Sequence, residues 1–408
     1  MARRFDSLFA GMSEQEALIL ARSSAEKLGN PVSKYIAVTR LGACNSQESL
    51  DQLVSCINLD TSNLYERIAR RKAIEALGRR QDQRSIPHLI EVLDSSGDEL
   101  AVINAVDAIV QINSTLDSCQ AQSLSKALAG SDNQKRAVIQ AHTRLGLDTA
   151  IDKIIPFQYH QSPLVAGAAI AYMARIYGQT SLLNTLVAQL RDDVAGRRRA
   201  AVIDLGDAGD ISKLRQLIKA PVSMPLRARS AFQLLKQANL AASTTDYNSI
   251  LQQLLNDHPD NMYLRPEWIS GASEEEISRN LQHQDEARQY GAAKALLQLH
   301  PKAMLLMIDN LHTALGSDYV VHYYITLTIN LNRVSARANL IKSALAQTIP
   351  QYAKSRVAAA WACLHLGLSD QIPLLKELSQ TSQWAPLKWS CQQALQGMKQ
   401  SATPENCS

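Results

Sequence analysis

Asp318, Tyr319, His322 and Tyr323 stand close enough along the chain to act as one chemical set. If residues 318–325 are helical, Val321, Tyr324, Ile325 and Thr328 share one face. Tyr319, His322 and Tyr323 then share another at the i, i+3, i+4 spacing. The apolar set claims the core, leaving two tyrosines and a histidine for a second surface. Asp318, one turn from His322, is placed to orient its ring. Such a group can stack on a flat conjugated ligand, bond its polar edge and move a proton. The same spacing also suits a packed seam between helices with internally satisfied hydroxyls. Tyr65 beside Glu66, Tyr172 and Trp361 are aromatic candidates of the same kind, though core is the commoner fate of such residues.

A second set is cationic. Arg67, Arg70, Arg71, Arg136, Arg144, Arg197, Arg198, Arg199, Arg227, Arg229, Arg288 and Arg356 recur near the fronts of helical patterns. Most arginines so placed cap a neighbouring helix end or bond an acidic residue of the next repeat. The remainder would line a concave face and hold carboxylates with their planar forks. The run Arg197-Arg198-Arg199 is the densest cluster, and a solvated face accounts for it equally well.

Familiar chemistry is missing. The chain has no Walker-type glycine loop, dinucleotide fingerprint, nucleophile elbow or His-Glu-x-x-His helix, and its nine histidines are scattered. Cys44, Cys56, Cys119, Cys363, Cys391 and Cys407 show no Cys-x-x-Cys pair and read as reduced thiols, with no metal site expected.

The elements that must carry these residues are alanine-rich helices in a repeating pattern. Leu-Gly pairs close one pattern after another at Gly42, Gly78, Gly146, Gly206 and Gly367, with Tyr177-Gly178 and Ile112-Asn113 as variants. The early steps are roughly 35 residues, a helical-repeat period. First helices are expected near residues 70–78, 100–112, 134–145, 164–177, 196–205, 226–236, 286–299, 319–331 and 356–366. The clearest partner helix is 86–93, with Pro87 in its first turn. Ser13 with Glu16, and Ser273 with Glu276, have the spacing of capping boxes.

The fold expected is an all-α, HEAT-like or armadillo-type solenoid superhelix of about ten helix pairs with a concave ligand-binding face. Its expected divisions are a helical cap over 1–32, repeats over 33–255, an irregular connection or hinge over 256–284, repeats over 285–398 and a disordered tail over 399–408.

Composition fits. Of 408 residues 46% are hydrophobic but only 5% aromatic, so alanine and leucine must build the core. A net charge of +4, from 42 basic against 38 acidic residues, is too weak for a nucleic-acid footprint. No signal peptide is expected from the first residues and no apolar stretch reaches the ~18 residues that span a bilayer, so a cytoplasmic location is expected.

The run Asn63-Leu64-Tyr65-Glu66-Arg67-Ile68-Ala69-Arg70-Arg71-Lys72-Ala73-Ile74-Glu75-Ala76-Leu77-Gly78-Arg79-Arg80 is the most specific stretch. With residues 103–109, the opening 12–18 and the run 40–45, it resembles the E/F-type phycobilin lyases of cyanobacteria. Within that family it looks most like the long single-chain lyases and lyase-isomerases that serve phycoerythrin. The likeness is strong over about residues 5–115 and architectural beyond.

The resemblance implies covalent attachment of an open-chain tetrapyrrole, phycoerythrobilin, to a cysteine of a phycoerythrin α or β subunit. Some relatives also isomerise the product to phycourobilin. The bilin is substrate here, and no resident cofactor is expected. Two propionates need basic partners, pyrrole N–H groups need an acceptor and flat rings need aromatic walls. The residues themselves, rather than family motifs, suggest Asp318, Tyr319 and His322 for proton transfer. They suggest Tyr65, Arg67, Arg70, Arg136, Arg144, Tyr172, Arg197, Arg198, Tyr323 and Trp361 for substrate binding. Two other classes remain open: a non-catalytic scaffold or chaperone for phycobilisome assembly, and a HEAT-like nucleic-acid enzyme, which the weak charge disfavours.

Overall fold

The computed structural model describes residues 11–59, 62–95, 97–239 and 245–402, and every regular element among them is helical. The chain divides into two units, Met1–Thr180 and Ser181–Ser408.

The first unit holds α1 (Glu14–Arg22), α2 (Val32–Leu41), α3 (Gln47–Ile57), α4 (Leu64–Arg80), α5 (Ile86–Ser95), α6 (Glu99–Ile112), α7 (Ser118–Lys126), α8 (Asp132–Leu145), α9 (Ile151–Ile154) and α10 (Pro163–Tyr177). The helices α2, α4, α6, α8 and α10 stack side by side in one row. Helices α3, α5 and α7 pack as their partners from a second row. Small residues make this close stacking possible: Ala69, Ala73 and Ala76 of α4 and Ala101, Ala105 and Ala108 of α6 are buried. Leu50, Leu53, Leu89 and Leu124 fill the layer between the rows, each worth about 1.5–3 kcal/mol by removal from water.

The second unit holds α11 (Leu183–Gln189), α12 (Ala195–Ala208), α13 (Leu214–Leu217), α14 (Met224–Gln237), α15 (Thr245–Asn256), α16 (Glu274–Leu281), α17 (Glu286–Leu297), α18 (Pro301–Leu315), α19 (Tyr319–Leu331), α20 (Ala338–Ala346), α21 (Ala353–His365), α22 (Ile372–Thr381) and α23 (Ala385–Ala402). Here α17, α19, α21 and α23 form a row, and α15 packs on α14, α21 and α23.

The leucine–glycine pairs mark two different events. Gly146, Gly178 and Gly367 take the left-handed conformation that ends a helix, as the pattern suggests. Gly78 and Gly206 instead lie inside α4 and α12, which run on past them. A Cβ on Gly78 would sit 2.7 Å from Ala108 Cα, so this glycine is there to let α4 and α6 touch.

Both expected helix starts are capped: Ser13 Oγ accepts from Glu16 N at 3.1 Å and Ser273 Oγ from Glu276 N at 3.3 Å. The segment 256–284 contains the short 3-10 turns Pro259–Asn261 and Pro266–Trp268, then α16. Tyr263 N donates to Lys219 O at 2.8 Å and Trp268 is buried, which ties the segment to its surroundings. At the other end α23 continues through Ala402, so the first four residues expected in a disordered tail are helical, and 403–408 lie outside the described residues. Among the described residues no helix is long and apolar enough to cross a membrane, and no group of three or more histidines, cysteines or carboxylates is placed to hold a metal ion.

Candidate functional site

Several of the predicted binding arginines, and others of the same cationic set, are held by the fold itself. Arg70 Nε donates to Ile57 O at 2.7 Å. Arg71 grips Asp98, the cap of α6, through bonds of 2.9 and 2.7 Å. Arg136 donates to Leu164 O. Arg198 is fully buried, donates to Asp192 O at 2.7 Å and to Asp285, and lies over the Trp268 ring at 4.8 Å. Arg199 forks onto Glu286 at 2.9 and 2.7 Å, and Arg197 meets Asp192 at 3.4 Å. These pairs fix the entry to α12 against the entry to α17. Arg144 is half-buried in α8, while Tyr65 and Arg67 are half-buried near the start of α4. Tyr172 is buried, and its hydroxyl donates to Leu147 O at 3.0 Å.

The set on α19 is divided rather than assembled. Asp318 is the N-cap, its Oδ1 accepting from Val320 N at 2.7 Å and Val321 N at 3.0 Å. It caps the helix instead of orienting His322, whose Nδ1 lies 3.0 Å from Ser355 Oγ and whose ring meets Tyr352 edge-on at 4.7 Å. Burial, with a smaller contribution from His312, lowers the His322 pKa and favours the neutral ring. Tyr319 is half exposed, whereas Tyr323 turns inward and is buried. The expectation that Tyr323 shares a free face with them is therefore corrected. Helix α19 lies between α17 and α21, so it has two covered sides and little free surface.

Tyr323 belongs to a buried polar cluster. Its hydroxyl donates to Asp257, as does Tyr290 at 2.7 Å. Arg227 donates to Asp257, to Tyr290 Oη at 2.8 Å, and to the carbonyls of Ile218 and Val222 at 2.7 and 2.9 Å. Lys354 Nζ lies 4.6 Å from the centre of the Tyr323 ring and 5.5 Å from that of Tyr324. Burial pushes the Lys354 pKa down to about 8 against the opposing pull of Asp257, Glu286 and Asp318. Its amine is thus available in both protonation states near neutrality.

Asp257 has φ 52°, a left-handed backbone uncommon outside glycine. The cluster clamps it, and its neighbours Asn256 and His258 are thereby set at the edge of a cleft. This cleft of about 470 Å³ lies where α15, α19 and α21 end, and is lined by residues including Gln252, Asn261, Arg333 and His365. Its size falls within the ~300–1,000 Å³ typical of ligand sites. His365 Nδ1 lies 2.8 Å from Asn330 Oδ1, and its ring stacks on Trp361 at 6.3 Å. Burial and then Arg333 lower the His365 pKa, keeping the ring neutral. With Asn330 accepting from Nδ1, the lone pair rests on Nε2. Trp361 is therefore buried behind the cleft, and its indole N–H has no partner among the described residues.

Sequence reasoning missed Asp257, Tyr290, Lys354, Arg333 and His365 as site residues. The one available signal was the position of Arg333, which follows a helix where Gly146, Gly178 and Gly367 stand in sibling repeats.

A family model described as HEAT repeats matches residues 22–118. Over 97% of this chain and 94% of the relative, the sequence is 29% identical to "Uncharacterized phycocyanin operon protein Y" of Pseudanabaena tenuis. It is 26% identical to the bilin biosynthesis protein CpeY of a Synechococcus species over 84% of each chain. It is also 27% identical to the phycocyanobilin lyase subunit alpha of Thermosynechococcus vestitus, over 60% of this chain and 97% of that one. Among solved structures, the CpcE–CpcF complex of phycocyanin lyase from a Nostoc species matches with a TM-score of 0.51 at 22% identity, covering 60% of this chain and 94% of that chain. That likeness supports the helical-repeat fold.

Proposed function

We propose, for a chain that belongs to the E/F-type bilin lyase family, the activity of a phycobilin lyase that attaches phycoerythrobilin to a cysteine of a phycoerythrin subunit. The observation that carries the reading is the match to a bilin biosynthesis protein across 84% of this chain, well beyond the region a generic repeat model covers.

In this reaction the acceptor thiol adds across the side-chain double bond of ring A. A carbon–sulfur bond forms, the thiol proton ends on the bilin, and nothing leaves. The nucleophile belongs to the acceptor protein, and the chain's own buried thiols are poor rivals. Burial raises the Cys56 pKa and pushes Cys363 and Cys391 up to about 12, leaving negligible thiolate at neutral pH. The lyase's contribution is positioning: it holds one face of the double bond toward the thiolate and excludes the other. Asp318, Tyr319 and His322 remain the proposed proton-handling set for any accompanying isomerisation.

The test is coexpression with phycoerythrobilin synthesis and each candidate phycoerythrin subunit, followed by absorbance of the purified subunit in acid urea. A covalent phycoerythrobilin band supports attachment, and a blue-shifted phycourobilin band supports attachment with isomerisation. Colourless subunits in every combination would overturn the reading in favour of a scaffold.

A further inference from the structure

The cleft at the ends of α15, α19 and α21 brings hydrogen-bond acceptors and a cation together. Its wall is made of amide side chains and helix C-termini, which present acceptors and negative partial charge. His365 Nε2 adds a lone pair, because Nδ1 is committed to Asn330. The rim carries Arg333, the one residue with a permanent full charge among those lining the cleft. Among the described residues no carboxylate or carbonyl takes the exposed Arg333 guanidinium, which leaves it available to a ligand.

Its backbone is unusual as well. Arg333 has φ 51° and follows α19 in the place where left-handed Gly146 and Gly367 follow α8 and α21. The bonds from Val334 N to Ile329 O at 3.0 Å and from Leu368 N to Cys363 O at 2.9 Å show that both ends use the same turn. Glycine is the easy residue there, and an arginine kept in its place brings a charge to the rim at a conformational cost. Asp257, another left-handed non-glycine residue, is clamped by Arg227, Tyr290 and Tyr323 immediately between the cleft residues Asn256 and His258. Two of the chain's atypical backbone positions therefore frame one cavity.

A cationic rim over an acceptor-rich wall suits a ligand that carries carboxylates on flexible arms and N–H donors on its body. We propose that this cleft seats the propionate-bearing edge of the open-chain tetrapyrrole, with Arg333 on a propionate and His365 Nε2 accepting from a pyrrole N–H. The inference rests on the bilin-lyase reading above and adds to it the part of the chain that recognises the substrate. Arg333 acts as a binding residue and takes no part in forming the thioether.

The purified full chain is titrated with phycoerythrobilin and with its dimethyl ester, in which both carboxylates are masked. The variants are Arg333→Asn, chosen because asparagine tolerates a left-handed backbone, Arg333→Lys, and Arg229→Gln as an exposed control. Removing a charged hydrogen-bonding partner is worth about tenfold or more in affinity. Arg333→Asn is expected to weaken the free acid by that factor and leave the ester unchanged, so that the two bind it alike. Arg333→Lys recovers part of the loss, and Arg229→Gln changes nothing. In bilin transfer, Arg333→Asn raises KM for the bilin while kcat stays within about twofold. Binding of the free acid by Arg333→Asn at the unaltered chain's affinity would overturn the proposal. An unaltered chain that binds neither bilin and transfers none would instead remove the lyase reading on which it rests.

Discussion

Arg227 and Asp257 form an ion pair from which solvent is wholly excluded, with both side chains fully buried. The pair is tolerable because its remaining bonding capacity is met: Arg227 also donates to two carbonyls and Tyr290, and Asp257 accepts from two tyrosines. Taking one partner away strands the other charge in a dry interior. Arg227→Met is therefore expected to destabilise the protein by about 3–5 kcal/mol. The double variant Arg227→Met/Asp257→Asn should lose clearly less, because neither position of the pair then carries a stranded charge. Urea denaturation of the three variants checks this, and a double variant as damaged as the single one would show that the charge is not the cause.

Legibility differed sharply between the fold and the site. Helices and their caps are local: Ser13 and Glu16 are three residues apart, and alanine spacing along α4 and α6 shows which faces pack. The polar cluster is not local. Arg227 meets a tyrosine 63 residues away, and Arg198 meets a carboxylate 87 residues away, with no spacing rule to announce either. The expectation for α19 fails for a related reason. A helical wheel shows which residues share a face, but only the neighbouring helices decide how many faces are covered, and α19 has one on each side.

Tight approach at Gly291 predicts a second stability effect. A methyl on this residue of α17 would overlap the carbonyl oxygen of Trp268, so the 3-10 turn Pro266–Trp268 must shift to admit it. Backbone cannot move aside as a flexible side chain does, and Gly291→Ala should cost about 3 kcal/mol. Gly196, in the first turn of α12, has nothing among the described residues within 4 Å of the same position. Gly196→Ala is expected to be stabilising by about 0.5–1 kcal/mol through the loss of unfolded-state freedom. Thermal melts of the two variants should move in opposite directions.

His142 supplies a pH signature for the first unit. It is fully buried, its Nε2 lies 3.3 Å from Ser125 Oγ, and burial pushes its pKa from 6.5 down to about 4. Below pH 6.5 the unfolded chain binds a proton that the folded chain refuses, so this residue makes stability fall as pH drops from 6.5 toward 4, and the loss levels off below that. The span corresponds to roughly 3 kcal/mol. His142→Gln cannot titrate and should flatten that part of the curve, as measured by urea midpoints between pH 7 and pH 4. An unchanged slope would assign the acid sensitivity to other groups.

Asp318 offers the sharpest separation of a capping role from a chemical one. Both of its bonds run to backbone N–H groups from one oxygen, Oδ1, and an asparagine oxygen accepts such bonds equally well. Asp318→Asn should therefore keep full stability, while Asp318→Ala loses about 0.5–2 kcal/mol. If the carboxylate only caps α19, Asp318→Asn also transfers bilin at the unaltered rate and gives the same product colour. If it moves a proton during isomerisation, the same variant stays folded and attaches the bilin, yet fails to shift its absorbance to the blue. Comparing the acid-urea spectra of subunits coloured by these two variants decides between the roles, because stability and proton transfer change independently in Asp318→Asn and only there.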